Sequence, residues 1–233
     1  MLVLHQFTQS PFCVQLRRIM AYKKLAFEVR THPLADLRRV RRFNPIGKLP
    51  ALEHRGQWVA DSTDIAHYLE RQFPDVPILP ATPREAALSH VLEDWADESL
   101  YFYEMRLRFT FASSARRNLP RMVAMDRGLA RWLLLRLIPR GLNGILARQG
   151  LGRKTEEQVM ADVERHLDAL VALLEPGLWL LPGETPTLAD FAVHAMLECI
   201  GHADEGGEAL DRRPALGRWM ARLDDLAPDP HPD

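Results

Sequence analysis

Cysteine is nearly missing from this chain: Cys13 and Cys199 are the only two in 233 residues, and they lie far apart in sequence. That argues against a disulfide framework and for a reducing compartment, and no Cys/His spacing suited to zinc occurs. An excess of charge of one sign is missing too. Lys and Arg number 30 against 31 Asp and Glu, which removes the electrostatic case for nucleic acid as a partner. The chain does not open with a basic segment followed by a long apolar core, so no signal peptide is expected. The longest apolar stretch, Trp132-Leu133-Leu134-Leu135-Arg136-Leu137-Ile138-Pro139, is interrupted by Arg136 and falls far short of the ~20 residues a membrane helix needs. It is expected to be a buried or a partner-facing helix, and a membrane is not expected as a partner. No internal repeat is visible.

What is present changes character near residue 75, and a chain of this length accommodates two ordinary domains. Residues 2–6 read as a buried strand. Pro11 suits the first turn of a helix, and Val14, Leu16, Ile19, Met20 and Leu25 share one helical face. A second strand fits 26–31. The segment 34–43, a short helix or an irregular loop, carries Arg38-Arg39-Val40-Arg41-Arg42, either a solvated face or an anion-contacting patch. Leu49 to Glu53 and Gln57 to Ala60, on either side of His54-Arg55-Gly56, read as a hairpin, and helical periodicity resumes from Ser62 to Phe73. The order is βαβ, a connector, then ββα.

Pro74, Pro77, Pro80 and Pro83 follow within ten residues, and repeated proline blocks helix and stiffens an extended chain. The expected organisation is an α/β domain over 1–75, a Pro-rich linker over 76–84, an all-helical domain over 85–227 and a disordered tail over 228–233. Helices are expected at 84–115, at 119–148 with a break at Pro139, and at 155–174, 187–200 and 214–226. Thr187-Leu188-Ala189-Asp190 has the form of a capping box with Pro186 and Phe191 at the staple positions, a folding signal. His5, His67, His166 and His194 show no mutual metal-ligand spacing and are read as structural.

Three short segments occur in a telling order: Ser10-Pro11-Phe12-Cys13 between strand and helix, then Lys48-Leu49-Pro50-Ala51-Leu52, then Asp61-Ser62-Thr63-Asp64-Ile65. Together with the helical remainder they resemble the cytosolic glutathione S-transferase superfamily, over nearly the whole chain. The serine at position 10 resembles the theta/zeta-like bacterial members, whereas glutaredoxins and omega-class transferases carry the reactive cysteine at that position. The resemblance implies a thioredoxin-like N-terminal domain followed by an all-helical transferase domain. It also implies glutathione as co-substrate without a metal, a small hydrophobic electrophile, a cytoplasmic homodimer and a role in detoxification.

Residue by residue, the resemblance makes Ser10 the donor to the glutathione sulfur. A thiol of pKa about 8.5 is only a few per cent ionised at neutral pH, and a hydroxyl at a helix N-terminus supplies both a hydrogen bond and positive potential. The alternative for Ser10 is a plain helix cap. Cys13 is either a packing residue or a nucleophile or resolving thiol. Leu49, before a cis Pro50, is expected to pair its main chain with the cysteinyl unit as an added strand, with Phe12 beside it. Lys48 either pairs with the glycyl carboxylate or is solvated. Asp61 and Ser62 are placed to hold the ammonium and carboxylate of the γ-glutamyl end. Tyr101, Tyr103 and Arg106 are candidates for the electrophile pocket, with core or dimer packing as the alternative. Three functions remain open: a glutathione transferase using Ser10, a glutathione-dependent thiol transferase or reductase using Cys13, and a non-catalytic binding or interaction protein of the same fold.

Overall fold

Four strands build one sheet: β1 (Leu2–Gln6), β2 (Phe27–Thr31), β3 (Ala51–His54) and β4 (Gln57–Ala60), in the order β2-β1-β3-β4. In this computed structural model, residues 1–44, 46–175 and 177–231 are described, with only the backbone of Leu37 and Arg38. β1 is central and buried along its whole length, as its unbroken apolar start requires. It pairs in parallel with β2, Leu4 opposite Val29, and antiparallel with β3, Leu4 opposite Leu52. β3 and β4 form the expected hairpin, with Arg55 and Gly56 at positive φ in its turn.

Helix α1 (Pro11–Tyr22) packs on α3 (Ser62–Gln72) and on α9 (Leu188–Gly201). A short 3₁₀ turn at Leu34–Asp36 runs into α2 (Leu37–Val40) in the basic segment between β2 and β3. The remainder is helical: α4 (Pro83–Trp95), a π turn (Ala96–Leu100), α5 (Tyr101–Thr110), α6 (Ala112–Met122), α7 (Gly128–Gln149), α8 (Glu156–Leu174), α9, α10 (Asp204–Asp211) and α11 (Pro214–Leu226). α9 is buried almost all round, which marks it as the centre of the helical half. Its first turn is held by Asp190, whose carboxylate accepts from Thr187 N (2.8 Å), Thr187 Oγ1 (3.0 Å), Leu180 N (2.9 Å) and Trp219 Nε1 (3.0 Å).

The structure departs from the sequence expectation in three places. The stretch expected to be one helix over 84–115 contains the π turn and ends at Thr110, with Phe111 extended before α6. No break occurs at Pro139: α7 runs through it, and Arg140 Nη1 donates to the carbonyl of Arg136 (2.7 Å) in the same turn. The interruption lies instead at 123–127, where Asp126 accepts from the amides of Leu34 (3.2 Å) and Ala35 (2.9 Å) and so ties the helical half to the basic segment. Of the two readings of the stretch Trp132 to Pro139, burial does not hold, since Trp132, Leu133 and Leu137 are exposed, and the partner-facing one stays open. The tail is held at Asp229, whose carboxylate meets the buried Arg17 of α1 at 2.5 and 2.7 Å; residues 232 and 233 lie outside the described residues.

Candidate functional site

Ser10 occupies the N-cap of α1 with extended backbone (φ −85, ψ 122) and makes no capping bond to its own helix. Its carbonyl accepts from Cys13 N (2.9 Å) and Val14 N (3.0 Å), and Pro11 fills the first helical position, where no amide is needed. The hydroxyl therefore stands at the positive end of α1, in the wall of a cleft of about 890 Å³ between the two halves. That size fits a small-molecule site. The cleft also takes in Phe12, Lys48 and Leu49 from the sheet half and Tyr101 from the helical half. The Phe12 and Tyr101 rings meet with centroids 5.0 Å apart.

Cys13 does not reach the cleft. It is fully buried, its thiol is within hydrogen-bond reach of Ser10, and burial pushes that thiol up to about 11.

The Leu49–Pro50 peptide is cis. β3 begins only at Ala51, opposite His5, so the main chain of Leu49 lies beyond the end of the ladder. Its side chain packs with Val40 and Ala51 against Phe7 and Phe43. Asn44 shapes the approach: its Nδ2 donates to the Lys48 carbonyl (2.6 Å) and its Oδ1 accepts from Ile46 N (3.0 Å).

Asp61 caps α3, accepting from Thr63 N at 3.1 Å with its own φ at +79°. Ser62, at the first helical position, is buried. Neither belongs to the lining proper, but Thr63 Oγ1 donates to Glu93 of α4, and Glu93 leads to Asp97 on the cleft wall. Burial, then the charges of Glu93, Asp61, Glu98 and Asp94, raise the Asp97 carboxyl to about 8. Its Oδ1 is buried without a hydrogen-bond partner among the described residues. Carboxyls from both halves thus converge beside the start of α3, an arrangement suited to a cation such as a ligand ammonium.

Of the expected electrophile pocket, only Tyr101 faces the cleft. Tyr101, Met105 and Phe109 follow at i, i+4 and i+8, and with Phe102 they form the apolar wall. Tyr103 points the other way, its hydroxyl donating to Asp162 (3.1 Å), and Arg106 donates to Thr110 Oγ1 (2.8 Å). The opposite wall comes from Met122, Met125, Leu142 and Ile145.

Three groups near the site were not singled out in the sequence. Arg108 is buried in an ion pair with Glu104 and donates to the Gln9 carbonyl (3.4 and 3.3 Å), which fixes the turn just before Ser10. Its signal was a Glu–Arg pair at i, i+4. Asp97 and Glu93 lie in an acidic run that reads as a solvated face until the fold brings Asp61 to it. His32 lines the cleft and meets His5 at 2.9 Å, and burial lowers both imidazoles. Among the described residues one cluster, His194, Glu198 and Asp224, has donor geometry for a metal, but the Arg18 guanidinium already sits against both carboxylates at 2.7 and 2.8 Å.

Sequence models of the two glutathione S-transferase domains match this chain, the N-terminal domain over residues 4–77 and the C-terminal domain over residues 140–222. The chain belongs to the glutathione S-transferase superfamily. A probable glutathione S-transferase of Oryza sativa subsp. indica is 38% identical over 118 residues, 46% of this chain and 50% of that protein. The isoprene-epoxide–glutathione S-transferase of Rhodococcus sp. strain AD45 is 25% identical over 230 residues, 92% of this chain and 91% of that protein. The chain spans about half the length of the first curated relatives it matches, 47% and 50%. Among solved structures, rice GST1 in complex with glutathione shares the transferase fold at a TM-score of 0.69 and 24% identity, over 100% of this chain and 92% of that one.

Proposed function

We propose that this member of the superfamily is a glutathione transferase in which Ser10 holds the glutathione sulfur as a thiolate for attack on a small hydrophobic electrophile. The observation that carries the proposal is the Ser10 hydroxyl, uncommitted to capping and standing at the N-terminus of α1 in a cleft with an apolar far wall. Lowering a thiol by two units from about 8.5 takes about 2.7 kcal/mol of preferential thiolate stabilisation. One charge-assisted hydrogen bond together with the field of the helix end is of that size. The main chain of Leu49, supported by Pro50 and Phe12, pairs with the cysteinyl unit. Lys48 meets the glycyl carboxylate, the α3 start at Ser62 takes the γ-glutamyl carboxylate, and Asp61 and Asp97 take its ammonium.

In the chemical step the thiolate sulfur forms a bond to an electrophilic carbon. That carbon releases its leaving group or, for an epoxide, opens its ring to an alkoxide that picks up a proton. The relative named for isoprene epoxide makes small epoxides the first electrophiles to screen. The burial of Cys13 and its raised thiol weigh against a reductase mechanism through that residue. A homodimer through the exposed Leu88 and Val91 of α4, a cytoplasmic setting and a part in detoxification belong to the same proposal.

Calorimetric titration with glutathione tests the binding half. Ser62→Ala is expected to weaken affinity about tenfold while turnover at saturating glutathione changes little, because the lost contact lies far from the reacting sulfur. Wild-type affinity in that variant would remove the α3 start from the site.

A further inference from the structure

From Arg127 to Lys154 the chain carries six arginines and one lysine and no acidic residue. Most of that segment is α7, about 33 Å long at 1.5 Å per residue, and in it only Leu146 is fully buried. Leu129, Trp132, Leu133 and Leu137 fall at i, i+3, i+4 and i+8, on one side of the helix, and are 71%, 49%, 41% and 58% exposed. Arg136 and Arg140 are exposed on that side too, the Arg136 guanidinium lying over the Trp132 ring at 4.1 Å. This half of α7 lies between the two regions matched by the family models, which end at residue 77 and resume at 140.

An exposed ridge of leucine and tryptophan with arginines beside it has the make-up of a helix that lies in a membrane interface, apolar side chains at the acyl boundary and guanidinium groups among the headgroups. Length and charge rule out crossing: among the described residues no helix is long and apolar enough to span a bilayer. A two-fold contact with a second copy is disfavoured, because it would set Arg136 and Arg140 against their own equivalents with no acid on the helix to pair them.

We propose that the outer face of α7 docks on an anionic phospholipid bilayer, flat on its surface. This departs from the expectation that the chain has no membrane partner, and it stands independently of the transferase activity. The other side of α7 supplies Leu142 and Ile145 to the cleft wall, so docking would hold the cleft close to the lipid.

The test is co-sedimentation of the full chain with vesicles of phosphatidylglycerol mixed into phosphatidylcholine, compared with phosphatidylcholine alone. Binding to the anionic vesicles is expected to be at least tenfold stronger and to fall as salt is raised. The double variant Leu129→Gln/Leu137→Gln is expected to lose tenfold or more. Arg136→Gln/Arg140→Gln is expected to lose about 25-fold at low salt, roughly fivefold per arginine. All four side chains are exposed, so both variants should keep the wild-type melting temperature. No binding to anionic vesicles, or wild-type binding by either variant, would overturn the proposal. So would two other outcomes. A mass halved by Leu137→Gln in light scattering without vesicles would assign the face to contact between copies, and equal affinity for soluble polyglutamate would assign it to an acidic protein.

Discussion

Asp97 is a residue whose chemistry the fold changes strongly. With its carboxyl raised from 3.8 to about 8, chiefly by burial, it is protonated in the free protein at neutral pH. The sign follows from linkage: its contribution to stability is greatest below pH 4 and erodes as pH rises towards 8, because the buried charge must then form. A ligand ammonium reverses the balance by favouring the carboxylate, so binding at pH 7 should release a proton and tighten as pH rises towards 8. S-methylglutathione, whose sulfur cannot ionise, isolates this effect. Calorimetry in two buffers of different ionisation enthalpy should give close to one proton released by the wild type and close to none by Asp97→Asn; equal release by the two would remove Asp97 from the ammonium site. The positions of Ser10, Leu49, Asp61 and Ser62 at strand and helix ends were legible in the sequence, because local chain geometry fixes the backbone there; the roles proposed for them come from the family resemblance. Asp97 was not legible, since its shift exists only when Asp61 and Glu93 arrive from different elements and water is excluded around them.

At the scale of elements, patterns of period and capping carried well where one helix obeys one rule. Asp190 is the clearest case. Its carboxylate takes four hydrogen bonds and joins the start of α9 to Leu180 and to Trp219 of α11. Asp190→Ala leaves those donors buried and should cost about 3–5 kcal/mol. For a chain of this size that lowers the melting temperature by roughly 10 °C, measurable by thermal unfolding followed by circular dichroism; a shift of a degree or two would mean that the box is dispensable. The pattern failed where the ladder changes. The π turn at Ala96–Leu100 takes up an extra residue, so helical facing cannot be extrapolated from α4 into α5. Periodicity shows that Tyr101 and Met105 share a side, and not which side looks into the cleft, which is why Tyr103 and Arg106 were grouped with Tyr101 in the sequence. Pro139 misled for a related reason: proline removes one ladder bond, here the one to the Leu135 carbonyl, and a helix of 22 residues survives the loss of a single bond.

The whole molecule works as two halves closed on one cleft by buried polar contacts. Arg17 and Arg18 of α1 reach Asp229, Glu198 and Asp224, and Arg108 holds the turn before Ser10 from the helical side, while Lys23 ties α1 to the start of the linker through the carbonyls of Phe73 (2.9 Å) and Val76 (2.6 Å). None of this is readable from spacing, because every partner is remote in sequence. Its effect is to fix the N-terminus of α1, and Ser10 with it, against the apolar wall of α5. The central claim is that this fixed hydroxyl keeps bound glutathione ionised. The direct measurement is the ultraviolet absorbance of bound thiolate against pH in the wild type, Ser10→Ala and Cys13→Ala. The account predicts a thiol near pKa 6.5 in the wild type and in Cys13→Ala, about two units below the ordinary 8.5. In Ser10→Ala it should return towards 8.5 with glutathione affinity nearly kept, and activity at pH 7 should fall about ten- to thirtyfold. A thiol that stays low in Ser10→Ala, or rises only in Cys13→Ala, would contradict it.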